Sequence, residues 1–273
     1  MNSSEYVYHY TSLESLALIL KSGKIRFTRL DRLDDVTEAQ RIAGIDFGKY
    51  VLVSCWTLEA EDSLPQWHMY GAGMGGVRLQ LPKQVFSQVP YVVPKGLPSF
   101  EVNDIYLSPI SFEQGLAENC LVTPLLFEHE LAGAVEYVDN VREAIARHLY
   151  PGKDSQGSPT TTIGKTGRVV RYKAKTWAFQ NEYRFVLAAL PTFGPPLQGL
   201  GNIVGALRAG VDHGLHHFDV PIAPENLKEL VVRTGPLCTA GTVACIEALL
   251  SRWAPRATLE ATPLAGTIRR KGA

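Results

Sequence analysis

YKAKTWAFQNEYRFVLAAL, Tyr172 to Leu190, is the stretch whose reading decides the fold. It opens basic and aromatic (Tyr172, Lys173, Lys175, Trp177), passes through Gln180-Asn181-Glu182, and continues as Tyr183-Arg184-Phe185-Val186-Leu187. Aromatic and branched residues with no breaker before Pro191 predict a strand. Successive strand side chains alternate between faces, so Glu182 and Arg184 share one face and Tyr183 and Phe185 the other. A carboxylate and a guanidinium entering an apolar strand are costly to desolvate without partners. Their presence marks either a structural ion pair or a site that uses the charges.

Working outward, 273 residues with 45% apolar content supply a sizeable core. Lys+Arg 27 against Asp+Glu 27 gives zero net charge, so no global field draws the protein to nucleic acid or membrane. No run approaches the ~18 to 20 apolar residues of a membrane helix, and MNSSEYVYHY carries no apolar signal segment. Cys55, Cys120, Cys238 and Cys245 form no CxxC; they read as buried small residues of a reduced, cytoplasmic protein with no metal site.

Upstream, Tyr6–Tyr10 reads as a strand ending on His9, and Thr11-Ser12-Leu13-Glu14 reads as a capping box with Thr11 as N-cap of a helix over Ser12–Lys21. Lys24–Thr28 is a second short strand, followed by an acidic loop or helical turn carrying Asp31, Asp34, Asp35 and Glu38. Val51–Trp56 is a third strand. Ser63–Tyr70 is a short helix with Pro65 in its first turn, placing Trp67 and Tyr70 on one face. Gly71, Gly73, Gly75 and Gly76 precede a strand over Val77–Leu81 rather than a helix, the wrong context for a nucleotide-binding loop.

Phe100–Leu107 is expected to be a strand, and Thr123-Pro124 to begin a long amphipathic helix reaching about Tyr150. The Gly-, Ser-, Thr- and Pro-rich run Pro151–Gly167 is expected to be a mobile loop, and Pro191–Gly201 another. Phe218–Ile222, Leu227–Val232 and Ala257–Ala261 read as short strands and Thr239–Trp253 as a helix. Without repeats or a convincing linker, residues 1–273 read as one α+β domain.

Taken together, Tyr8-His9-Tyr10-Thr11-Ser12, Ser54-Cys55-Trp56, Gln66-Trp67-His68-Met69-Tyr70 with its glycines, and Lys173…Trp177…Glu182-Tyr183-Arg184 occur in an order that resembles a bacterial family classed as a domain of unknown function. Its members share a W-x-x-E-x-E-x-R signature, in which this chain has Gln180 in place of the first Glu. That family in turn resembles the ADP-ribosyltransferases of the diphtheria-toxin and poly(ADP-ribose) polymerase class. The resemblance implies a split β-sheet core with flanking helices, and NAD as substrate without a metal. It implies transfer to a macromolecular acceptor, nucleic acid or protein, as in a toxin or phage-defence effector with a cognate antitoxin.

Residue by residue, the resemblance gives His9 and Thr11 to the adenosine ribose and Glu182 to the nicotinamide ribose. It gives Trp56 and Trp67, with ten residues between them, to nicotinamide stacking, with Tyr70 as the competitor. Gln180 would help choose the acceptor. Ser54, on the Trp56 strand, is assigned to the same binding site, and Arg184 is expected to brace Glu182. The residue types suit the chemistry: a carboxylate stabilises an oxocarbenium-like transition state, and aromatic faces attract a flat cationic ring.

Overall fold

The computed structural model describes residues 5–269 apart from 40, 43, 95–105, 125–130, 154, 156 and 158. Its architecture is α+β, built around a ten-stranded sheet. The strands are β1 (Tyr6–Thr11), β2 (Lys24–Arg29), β3 (Val51–Thr57), β4 (Val77–Pro82), β5 (Cys120–Thr123), β6 (Ala132–Ala134), β7 (Glu182–Pro191), β8 (His217–Pro221), β9 (Val231–Thr234) and β10 (Thr258–Ala261). The main path runs β6-β7-β3-β1-β4-β9-β10; β5 also pairs with β7, and β2 bridges β3 and β8.

The apolar run of β7 is explained by burial on both faces. Phe185, Leu187 and Ala189 enter a core shared with helix α1 (Leu13–Ser22) and helix α3 (Ala240–Trp253). Val186, Ala188 and Leu190 enter a second core with Leu30, Val51, Val53 and Leu121. Glu182 and Arg184 stand at the end of this second face, both buried.

The sheet splits beside β3. Along one edge, β3 pairs with β7 from Glu182↔Thr57 to Ala188↔Val51. Along the other it meets β2 only at Thr28↔Val53 and Arg29↔Leu52, and β1 only at Tyr8↔Thr57. Between those contacts the edge at residues 54–56 has no ladder partner, while β1 is zipped to β4 from Tyr6↔Pro82 to Thr11↔Val77.

Several expectations are corrected. Thr11 ends β1, and Ser12 is the N-cap of α1, accepting from Ser15 N at 3.1 Å. The long helix expected from Thr123 does not form among the described residues: Cys120–Thr123 and Ala132–Ala134 are strands against β7, Glu136–Val138 pairs with Tyr172–Ala174, and Val141–Ala146 is the helical part of the described segment. Thr123 is drawn into the sheet by pairing opposite Ala188, which outweighs its capping signal. The expected mobile loop Pro151–Gly167 instead carries most of a hairpin, Leu149–Lys153 with Pro159–Ile163, and a helical turn, Thr166–Val169. A helical turn, Pro196–Gly199, lies in the Pro191–Gly201 loop, and another, Pro224–Lys228, occupies the start of the expected Leu227–Val232 strand. The Phe100–Leu107 strand falls almost wholly outside the described residues; Tyr106–Ser108 is extended.

The glycine run releases the chain from helix α2 (Leu64–Met69) into β4, with Gly73 in the left-handed region at φ 60°. A Cβ at Gly76 would collide with the Thr11 carbonyl, so glycine is required where the loop crosses β1. The cysteines are free, but Cys245 is exposed and Cys55 and Cys238 only partly buried. Among the described residues no helix is long and apolar enough to cross a membrane.

Candidate functional site

A cavity of about 230 Å³ occupies the split. Its walls come from β1 (Tyr8, His9, Tyr10), β2 (Arg26, Thr28), β3 (Val53, Ser54, Cys55, Trp56), α2 and its C-terminal residue (Gln66, Tyr70), and Leu33, Asp34, Lys173, Gln180 and Glu182.

The approach to β7 is shaped locally. Lys175–Gln180 forms a tight 3-10 turn that ends on Asn181 in the left-handed region, φ 41°, a conformation Asn tolerates. The Asn181 carbonyl accepts from Leu58 N at 3.2 Å and Thr57 Oγ1 at 3.1 Å, while Gln66 Nε2 donates to the Gln180 carbonyl at 3.0 Å. The turn is thereby anchored to both β3 and α2. Glu182 follows with its N–H donated to the Tyr137 hydroxyl at 2.8 Å.

Glu182 belongs to a buried group of two carboxylates and two cations. Arg184 Nε donates to Glu182 Oε1 at 2.8 Å and Lys173 Nζ to Oε2 at 3.2 Å. Glu38 lies across from them, 3.0 Å from Lys173 Nζ and 2.6 Å from Arg184 NH1. Those Glu38 contacts are close ion pairs whose angles fall outside hydrogen-bond geometry. Arg184 NH1 also donates to the Val170 carbonyl at 2.9 Å. Burial alone would raise the Glu182 pKa, but Arg184 and Lys173 outweigh it and bring it down to about 2. Burial would likewise lower Lys173, and the two glutamates outweigh that and raise it. Two glutamates against one lysine and one arginine give the group a formal charge of zero. Cys55 faces the group from β3, opposite Arg184, and burial followed by the Glu182 charge pushes its thiol's pKa well up.

His9 closes the split from the other side. Its Nδ1 lies 2.9 Å from the Cys55 carbonyl, on the stretch of β3 that lacks a ladder partner. A carbonyl only accepts, so Nδ1 carries the proton and Nε2 presents a lone pair. Burial lowers the His9 pKa, keeping the ring neutral. The ring also packs 5.0 Å from Trp56, whose Nε1 donates to Ser54 Oγ at 3.0 Å.

On the opposite wall, Tyr70 donates its hydroxyl to Asp34 Oδ2 at 2.6 Å and accepts from Gln180 Nε2 at 2.6 Å. Burial, followed by Asp34, raises the Tyr70 pKa, so the hydroxyl stays protonated. Gln180 Oε1 is buried and has no partner.

Of the residues singled out from the sequence, His9, Ser54, Trp56, Tyr70, Gln180 and Glu182 meet at this cavity. Trp67, Thr11 and Arg184 are not in its lining. Trp67 is fully buried and packs edge-on against Tyr10 at 4.8 Å, because α2 turns that face to the sheet and leaves Tyr70 at the cavity. Thr11 is buried where β1 pairs with Val77. Arg184 stands behind Glu182.

Glu38, Lys173, Cys55 and Asp34 were visible only as parts of an acidic loop, a basic run, a strand core and a turn. No spacing rule connects Glu38 to Lys173, so only the fold reveals their pairing. No known protein family, curated protein or solved structure matches the chain.

Proposed function

We propose that this protein is an NAD-dependent ADP-ribosyltransferase whose reaction centre is the cavity between β1 and β2. The observation that carries the reading is the meeting of neutral His9 and ionised Glu182, far apart in sequence, across the split beside β3. An ionised carboxylate supports cleavage of the nicotinamide–ribose bond. The C1′–N bond breaks with its electron pair leaving on nicotinamide, and positive charge develops on the ribose. Glu182, bonded to a ribose hydroxyl, would stabilise that charge as it grows. The His9 Nε2 lone pair can accept from a hydroxyl of the second ribose. Tyr70 and Trp56 offer the aromatic surface for the pyridinium ring.

The cavity is smaller than the roughly 300–1,000 Å³ of drug-sized sites, so it seats one portion of the dinucleotide and the remainder lies outside it. An acceptor nucleophile then bonds to C1′ and gives up its proton. The acceptor is a macromolecule, protein or nucleic acid; with water as acceptor the same site would be an NAD glycohydrolase. Purified protein incubated with NAD should release nicotinamide, and labelled ADP-ribose should pass to cell lysate. Nuclease and protease treatment then assign the acceptor class.

A second reading rests on the Glu182 contacts. Both its oxygens are engaged, by Arg184 and Lys173. That commitment favours a non-catalytic member that binds a nucleotide or a partner protein. NAD binding without nicotinamide release would select it.

A further inference from the structure

The hydrogen bonds on the Tyr70 wall have a direction, and it is set at Asp34. Tyr70 has one hydroxyl proton. It donates that proton to Asp34 Oδ2 at 2.6 Å. The Tyr70 oxygen can therefore only accept from Gln180, which places the Gln180 Nε2 amide group toward Tyr70 at 2.6 Å. The amide is planar, so its oxygen points the other way. Gln180 is 5% exposed, lines the cavity, and leaves Oε1 buried without a partner. Its backbone carbonyl accepts from Gln66 Nε2 at 3.0 Å, which anchors the main chain at this wall. An unpaired buried acceptor is costly, a cost that a ligand bringing an N–H removes.

We infer that Gln180 Oε1 is a recognition point for a carboxamide N–H, oriented by Asp34 through Tyr70, and that it makes the cavity discriminate the nicotinamide group from its carboxylate isostere. This rests on the reading that the cavity takes the nicotinamide half of NAD. A carboxamide has two N–H donors to give; a carboxylate has only acceptors and would meet Oε1 lone pair to lone pair. Sites that pair a buried polar group with a substrate donor reject the analogue lacking it far more strongly than shape alone allows. Tyr70 and Asp34 are positioning residues: the first fixes the amide and the second fixes the first.

The test is direct binding, independent of turnover. Affinities of nicotinamide and nicotinate are measured by titration calorimetry or ligand-observed NMR for the wild type, Gln180→Ala, Tyr70→Phe and Asp34→Asn. The wild type should prefer nicotinamide at least tenfold. The preference should collapse toward unity in Gln180→Ala and in Tyr70→Phe, which frees the amide to rotate. It should shrink in Asp34→Asn, whose amide can reverse the hydrogen-bond direction. Nicotinate is charged, but that effect is shared by the wild type, Gln180→Ala and Tyr70→Phe, which keep Asp34 and the ion cluster, and cancels in the ratio between those proteins. Equal affinities in the wild type, a preference unchanged in both Gln180→Ala and Tyr70→Phe, or binding of neither probe overturns the inference. Nicotinamide release from NAD is scored separately, so loss of discrimination with retained release rejects this inference alone. Discrimination without release rejects the transferase reading alone.

Discussion

Glu182 has two roles that a single substitution separates. As a proposed catalytic carboxylate it supplies charge. As a member of the buried group it balances Lys173 and Arg184. Glu182→Gln should reduce nicotinamide release about 100-fold or more. It should also lower stability, by about 3 kcal/mol, since a buried pair loses one partner. Release assays on protein shown to be folded by circular dichroism check the first effect, and denaturant titration the second.

The stability term has a pH signature. The Glu182 pKa falls from an ordinary 4.5 to about 2 in the folded protein. Its contribution is therefore complete above about 4.5 and is lost as pH falls toward 2. Wild-type stability should drop through that window, and Glu182→Gln should flatten the drop. His9 behaves in the same sense from a different cause: burial depresses its pKa below 6.5. The unfolded chain then takes up the proton first, and stability erodes as pH falls below about 6.5. His9→Gln should remove that component in melts taken from pH 7.5 to 5.5, a window above the Glu182 one.

Among the elements, legibility followed the length over which one physical signal dominated. β7 was readable because both its faces are buried, giving an apolar run from Phe185 to Leu190 with no breaker before Pro191. α3 was readable because Thr239 caps it, accepting from Thr242 N at 3.1 Å, and its apolar stripe runs unbroken. The segment after Thr123 misled because its spaced apolar residues fit a helical period. In fact Ala132–Ala134 and Glu136–Val138 are short strands that owe their conformation to neighbours distant in sequence. The split of the sheet was likewise unreadable from residues. It consists of missing partners along β3, and absence of pairing has no local signature.

The capping shift at α1 can be measured. Ser12→Ala should cost about 1 kcal/mol, since Ser12 holds the cap bond to Ser15 N. Thr11→Ser, which keeps a hydroxyl but removes a methyl from a buried strand position, tests packing instead. Equal sensitivity of the helix end to both would contradict the assigned cap.

For the molecule as a whole, the four buried charges tie three segments together: Glu38 from the loop after β2, Lys173 from the strand facing Glu136–Val138, and Glu182 and Arg184 from β7. Glu38→Gln leaves the group with one net positive charge and should destabilise the fold by about 3–5 kcal/mol. Adding Lys173→Met should restore part of that loss, a non-additivity that a double-mutant cycle by denaturant unfolding reads out. Additive losses would mean that Glu38 and Lys173 do not act as a pair.

The β3–β7 ladder has a further consequence for biosynthesis. Thr57 cannot find Glu182 until the chain has been synthesised well past residue 182, and the ladder runs on to Ala188. The outer edge of the sheet waits for Thr258–Ala261. Domains of this topology close through contacts of high sequence separation. The nascent chain on the ribosome therefore carries His9 and Trp56 without their carboxylate until Glu182 has emerged. The proposed reaction centre, assembled this way, stays inert until β7 has emerged and paired with β3.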